Sequence, residues 1–171
     1  MSISLISSLL LHLIVNWNTF IAEDSNFQIL IPAPMEVKSK IMETEIGPIT
    51  SYSYYLNHKE KAANNYLYLV NHFEYPATLV HSDSMALVQD LLNESMEGLL
   101  EDNAATLSYQ DNKFYKNYPG QFFRMENEEA VIKVNLYIIK NHFYSLQVYM
   151  LKKNALNDDA TRFLNSFQFI D

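Results

Sequence analysis

An α+β domain, a central antiparallel β-sheet flanked by helices, is the fold class this sequence predicts, and three observations carry it. Runs of Tyr, Phe and β-branched residues recur at hairpin spacing between turn residues. Only two segments show the three- and four-residue apolar recurrence of a helix. Each of those lies beyond a group of strands, an order that favours α+β over an alternating parallel sheet. With 171 residues, 49% of them apolar and 19% charged, the chain can bury roughly 70% of the surface its unfolded form exposes. A core of that size needs no covalent staple.

Taken in order, residues 27–31 form a short apolar strand, stopped by Pro32-Ala33-Pro34, whose two rings cannot donate to a ladder. Gly47-Pro48 signals a turn. After it, 49–56 and 66–73, both rich in Tyr and β-branched residues, are expected to pair as a hairpin across the polar stretch 57–65. Met85, Val88, Leu91, Leu92, Met96 and Leu99 trace one face of a helix, with Ser82-Asp83-Ser84 offering N-caps. Two shorter strands, 106–116 and 121–126, follow, divided by a turn at Tyr118-Pro119-Gly120. The clearest hairpin joins 130–140 to 142–152 with Asn141 at the turn. Val131, Lys133, Asn135 and Tyr137 lie on one phase of its first strand, and Ile132, Val134, Leu136 and Ile138 on the other. A last helix over 156–167 is expected to dock Leu156, Ala160, Phe163, Leu164 and Phe167, with Asp158 and Asp159 favourably placed in its first turn.

Residues 1–22 contain no Asp, Glu, Lys or Arg, and Glu23-Asp24 opens the remainder like a boundary. The apolar stretch 9–15 fits the core of a signal peptide and is too short to span a bilayer, which wants about 20 mainly apolar residues. The reading is therefore a leader over 1–22 and a single domain over 26–171. Two features run against a standard leader: no basic residue precedes Lys38, and a cut after Ala22 puts bulky Phe20 where a small residue is usual. The alternatives are an N-terminal amphipathic or core helix of a cytosolic chain and an uncleaved membrane anchor.

Composition excludes several chemistries. Twenty acidic against twelve basic residues give a formal net charge of −8, with no Lys/Arg cluster to follow a phosphate backbone. The absence of cysteine removes disulfides, thiolate catalysis and Cys-ligated zinc. No Gly-x-Ser-x-Gly elbow, Walker loop or dinucleotide-binding loop is present, so triad hydrolysis and ATP or NAD dependence are not expected, and no cofactor is assigned. His81-Ser82-Asp83 is explained by helix capping. Carboxylate pairs Glu43/Glu45 and Glu128/Glu129 sit in polar stretches where nothing raises a pKa.

Two candidates remain. His72-x-Glu74, on a strand, points both side chains to one face and is the only metal-like spacing; His58, His81 and His142 would join it only through the fold. Twelve tyrosines and ten phenylalanines are the most unusual feature left, and most of them are expected to be ordinary sheet packing. A subset around the Tyr118-Pro119-Gly120 turn would make a protein-recognition patch, since Tyr offers contact area at low entropic cost.

Three local signatures occur in order: Phe27-x-Ile29-x-Ile31-Pro32, Tyr118-Pro119-Gly120 leading into a strand, and Arg162-Phe163-Leu164-Asn165-Ser166-Phe167 near the C-terminus. Together they resemble the small secreted bacterial domains of the Mog1/PsbP superfamily. The resemblance implies a central antiparallel sheet between helices, an α/β/α sandwich, and non-catalytic roles in assembling or stabilising a complex or binding a partner protein. No family binding residues carry over, because such folds share architecture more than a site. The functional expectation is an exported accessory domain, secreted or periplasmic, that binds a protein and not nucleic acid, is not an enzyme, and has no membrane span once the leader is removed. A cytosolic Mog1-like binding module and a small metal-dependent hydrolase using His72 and Glu74 are the alternatives.

Overall fold

One phase of residues 130–139 is wholly apolar and the other sets Val131, Tyr137 and Ile139 beside Lys133 and Asn135, so a strand here is stable only if the sheet is covered on both faces. In the computed structural model, which describes residues 16–44, 47–58 and 63–170, that is the arrangement found. The expected leader residues 1–15 and Glu45 lie outside the described residues. The elements in chain order are β1 (Asn18–Ala22), β2 (Phe27–Ile31), β3 (Glu36–Thr44), β4 (Gly47–Asn57), β5 (Leu67–Glu74) and α1 (Met85–Asp102). There follow β6 (Thr106–Tyr115), β7 (Tyr118–Glu126), β8 (Ala130–Ile139), β9 (His142–Leu151), α2 (Asp158–Asn165) and β10 (Gln168–Phe169). Seven strands form one antiparallel sheet in the order β3-β4-β5-β9-β8-β7-β6, and β1-β2-β10 form a small second sheet.

Ile132, Val134, Leu136 and Ile138 of β8 join Phe123 and Met125 of β7 under Val88, Leu92 and Met96 of α1. On the opposite face Val131, Tyr137 and Ile139 meet Tyr144, Leu146 and Val148 of β9, and are covered by Phe27, Ile29 and Ile31 of β2 with Ala160, Phe163 and Leu164 of α2. The molecule is thus mostly antiparallel sheet with two helices among the described residues. One cover is helical; the other is α2 together with the three-stranded sheet, a mixed layer where the α/β/α arrangement calls for helices alone. Between the sheets lies an aromatic layer: Phe27 contacts Tyr54, Tyr144 and Phe167, and Phe167 stacks on Tyr137 at 5.6 Å. Most of the unusual aromatic content is consumed here.

Both expected hairpins form. β4 pairs β5, and β8 pairs β9 with Ile139 opposite His142, Lys140 taking the left-handed conformation at the turn (φ 57°). Four expectations need correction. The fold starts before residue 26: β1 pairs along all of β2, its Phe20 packs on Tyr54 and Phe27, and its Ala22 is buried. Just ahead of it Trp17 meets Tyr68 edge-on at 6.0 Å, under the Arg162 guanidinium. Second, Tyr118-Pro119-Gly120 is not a turn. It opens β7, and the turn is Lys116-Asn117, with Lys116 at φ 53°. Pro119 is tolerated because the β8 ladder starts one residue later, at Gly120↔Tyr137, and asks no donor of it. Third, Leu156 is 99% exposed, because α2 begins only at Asp158, where the Asn157 side chain accepts from the Ala160 N–H. Fourth, Ser84 occupies the N-cap of α1 without a side-chain cap bond. β3 went unforeseen because its charged, exposed sequence carries no apolar alternation; it is a sheet edge held by full backbone pairing to β4.

Candidate functional site

His72 and Glu74 alternate with Phe73 along β5 and point to the face that carries the small sheet, as the strand period requires. The register sets Tyr144 opposite His72 and His142 opposite Glu74. His142 therefore sits diagonally from His72, and the two rings are joined by a 3.0 Å hydrogen bond between His72 Nε2 and His142 Nδ1. His72 also stacks on Tyr144 at 4.8 Å and on Tyr52 at 6.2 Å, while Phe169 flanks His142. The fold brings together two of the histidines that sequence spacing leaves apart. His58 lies against Tyr68, and His81 pairs with Asp83 at the start of α1, so neither joins them.

His72 is 1% exposed, and its Nδ1 has no hydrogen-bond partner among the described residues. Burial drives its pKa down to about 3, and the neighbouring His142 pushes the same way. His142 is also shifted down, chiefly by burial, with Glu74 opposing and Lys140 assisting. Both rings are thus neutral at physiological pH, and one must donate to the other. The arrangement with the smaller penalty has His72 Nε2–H donating to His142 Nδ1, which leaves an unprotonated lone pair, not a buried N–H, unpartnered at His72 Nδ1. A cavity of about 390 Å³ opens beside this ring, lined by Asp24, Thr50, Tyr52, Glu74 and Tyr75 among others.

The geometry suits proton sharing and ring stacking better than metal ligation. The hydrogen bond occupies the His142 lone pair that a metal would need, and among the described residues no three His, Asp or Glu side chains converge as a metal site does. The hydroxyls around the pair are similarly committed: Tyr144 donates to the Ser25 carbonyl, and Tyr54 shares a 2.7 Å bond with the Ser25 hydroxyl.

The other predicted site fares differently. Tyr118 is half-buried and Pro119 and Gly120 are buried, so the tripeptide offers no recognition turn. Gly120 is there for space: an added Cβ would overlap the Leu136 carbonyl oxygen and stand 2.6 Å from Tyr137 Cδ1. Exposed apolar groups lie instead on the edge strands, Val37 and Ile41 on β3 and Leu107, Tyr109 and Phe114 on β6. Residues in long polar strands give no sequence signal of exposure, which depends on where the strand sits in the sheet order.

No protein-family model and no curated protein matches the sequence. Among solved structures, the chain is similar to cyanobacterial PsbP (CyanoP) from Synechocystis sp. PCC 6803, with a TM-score of 0.58 and 9% sequence identity over 96% of this chain and 98% of that one. An alignment of that breadth at such low identity speaks to architecture alone. The chain has the PsbP/Mog1-like fold.

Proposed function

We propose that the protein is an exported, non-catalytic accessory domain that binds a partner protein, and that β6 is the edge it presents. The observation that carries this reading is the state of β6. It is a ten-residue edge strand, bonded on one side only, with Phe114 61% and Tyr109 52% exposed and Leu107 beside them. The opposite edge, β3, also exposes apolar groups, yet it carries Glu36, Lys38, Lys40 and Glu43 in nine residues, the charge pattern that blocks strand addition. On β6 the charges are Asp111 and Lys113, and Lys113 is turned inward to Asn135 and Asn165. A free backbone edge flanked by aromatic side chains fits recognition of an extended segment, where ladder bonds give affinity and side-chain pockets give selectivity. The PsbP-like fold supports the accessory reading, and among the described residues no helix is long and apolar enough to cross a membrane.

Export rests on the uncharged N-terminal segment, and β1 constrains where a leader ends: cleavage after residue 22 would remove a strand of the fold, so processing is expected at or before residue 17. A photoreactive residue placed at position 114 in the full-length protein, in its native cells, tests the partner. A discrete adduct from position 114, absent from position 156, supports the β6 reading; equal adducts from both positions, or none, sink it. Intact mass and cell fraction of the same protein separate an exported domain from an unprocessed cytosolic binding module.

A further inference from the structure

A second site lies on the face that carries α2, where a cavity of about 250 Å³ is lined by Tyr109, Lys113, Phe122, Lys133, Asn135 and Thr161 together with Leu164 and Asn165. The chain is acidic overall, yet two of its few lysines converge here, and a third cation, Arg124, stands opposite Lys133 in the β7–β8 register. Lys113 Nζ donates to two amide oxygens, Asn165 Oδ1 at 3.0 Å and Asn135 Oδ1 at 3.3 Å. Asn135 is itself fully buried and fixed by its own Nδ2 bond to the Leu164 carbonyl, so this ammonium is held in place. Among the described residues Lys133 makes no ion pair. Among the described residues the carboxylates carried by the same elements, Asp111 on β6, Glu126 on β7 and Asp158 and Asp159 on α2, pair with neither lysine; Glu126 is taken by Arg124 at 3.2 Å, and Asp159 accepts from Asn64 Nδ2 at 3.5 Å. Burial lowers the pKa of both ammonium groups, with the Arg124 charge adding to the effect at Lys133.

Two partly buried ammonium groups without a counter-ion among the described residues are an unfavourable arrangement unless an anion completes it. The remaining walls define the rest of the ligand. Phe122 is in contact with the Tyr109 ring at 5.5 Å, and Lys113 lies 5.8 Å over the Phe122 ring, so the charged groups sit directly beside an aromatic surface. The volume is below the roughly 300–1,000 Å³ of drug-sized sites. We infer that this cleft binds a small carboxylate with a planar apolar body, its carboxylate on Lys113 and Lys133 and its body against Tyr109 and Phe122. This does not depend on the partner-binding role of β6.

The probe is 3-phenylpropionate, titrated into the full-length protein while the lysine side-chain NMR signals are followed, with inorganic phosphate and phenylethylammonium in parallel. Saturable shifts of Lys113 and Lys133 with the carboxylate, absent with the ammonium compound, are expected. Lys133→Gln should weaken binding about tenfold or more, while Lys153→Gln, on a separate exposed turn, leaves it unchanged. Lys133 makes no hydrogen bond or ion pair among the described residues, so its variant keeps the fold even where Lys113→Gln, which loses the link to Asn135 and Asn165, does not. No saturable shift into the millimolar range, an equal response to phenylethylammonium, binding of phosphate but not of the carboxylate, or indifference to Lys133→Gln would each overturn the assignment.

Discussion

At the scale of single residues, His72 is a titratable group that burial moves far from its behaviour in water. In the unfolded chain its imidazole takes a proton near pH 6.5, whereas in the fold it resists until about pH 3, with His142, Tyr52, Tyr144, Glu74, Asp24 and Lys140 as the polar and charged groups around the pair. Below 6.5 the unfolded state therefore binds more protons than the native one. The contribution of this ring to stability is full above that pH and is lost as pH falls from 6.5 towards 3. His72→Phe keeps the stack and removes the titration. The gap in denaturation midpoint between about pH 7 and about pH 4.5 should accordingly shrink in the variant, and an unchanged gap would show that the carboxylates alone set the acid limit. Gly120→Ala makes a separate case, since the backbone oxygen of Leu136 cannot step aside as the Tyr137 ring can. A loss of about 2–4 kcal/mol is expected by chemical denaturation. Neither effect is legible in the sequence: His72-x-Glu74 is visible as a spacing, but the second histidine lies 70 positions away and only strand register delivers it.

At the scale of elements, α2 shows how a cap sets a boundary that periodicity misplaces. Apolar spacing makes Leu156 look like a helix residue, yet Asn157 starts the helix, accepting from the Ala160 N–H and exchanging amide bonds with buried Asn65. Asn157→Ala should cost about 2 kcal/mol in thermal or urea unfolding, through the lost cap and the stranded Asn65 amide. Leu156→Ala should stay within about 0.5 kcal/mol of the parent. The same contrast governs what was legible elsewhere. β2, β4, β5, β8, β9 and α1 announce themselves by apolar pattern because burial selects that pattern. β3 and β6, the two edges, are polar along most of their length. β1 was hidden by an apolar context that also reads as a leader. Tyr118-Pro119-Gly120 has the composition of a turn, but the left-handed residue sits two positions earlier, at Lys116.

For the whole molecule, the arrangement of covers explains why class was readable and layering was not. A strand buried on both faces requires two covers, and the alternating phases of 130–139 state that requirement; what supplies each cover is decided by chain path. On one face it is a helix. On the other, β1, β2, β10 and α2 are gathered from both ends of the chain, with β10 pairing Gln168 to Gln28 and Phe169 to Phe27. Deleting residues 1–22 should thus lower the unfolding temperature of the body, because it strips β1 from β2 and uncovers the Tyr54 ring that Phe20 shields. Trp17 gives that junction an optical use. It is the sole indole in a chain of twelve tyrosines, and Tyr68 lies against it. Tyrosine excitation in the native protein will drain towards one emitter at the root of β1. Peeling of that strand alone will appear as a red-shifted, tyrosine-decoupled signal while the circular dichroism of the seven-stranded sheet stays intact.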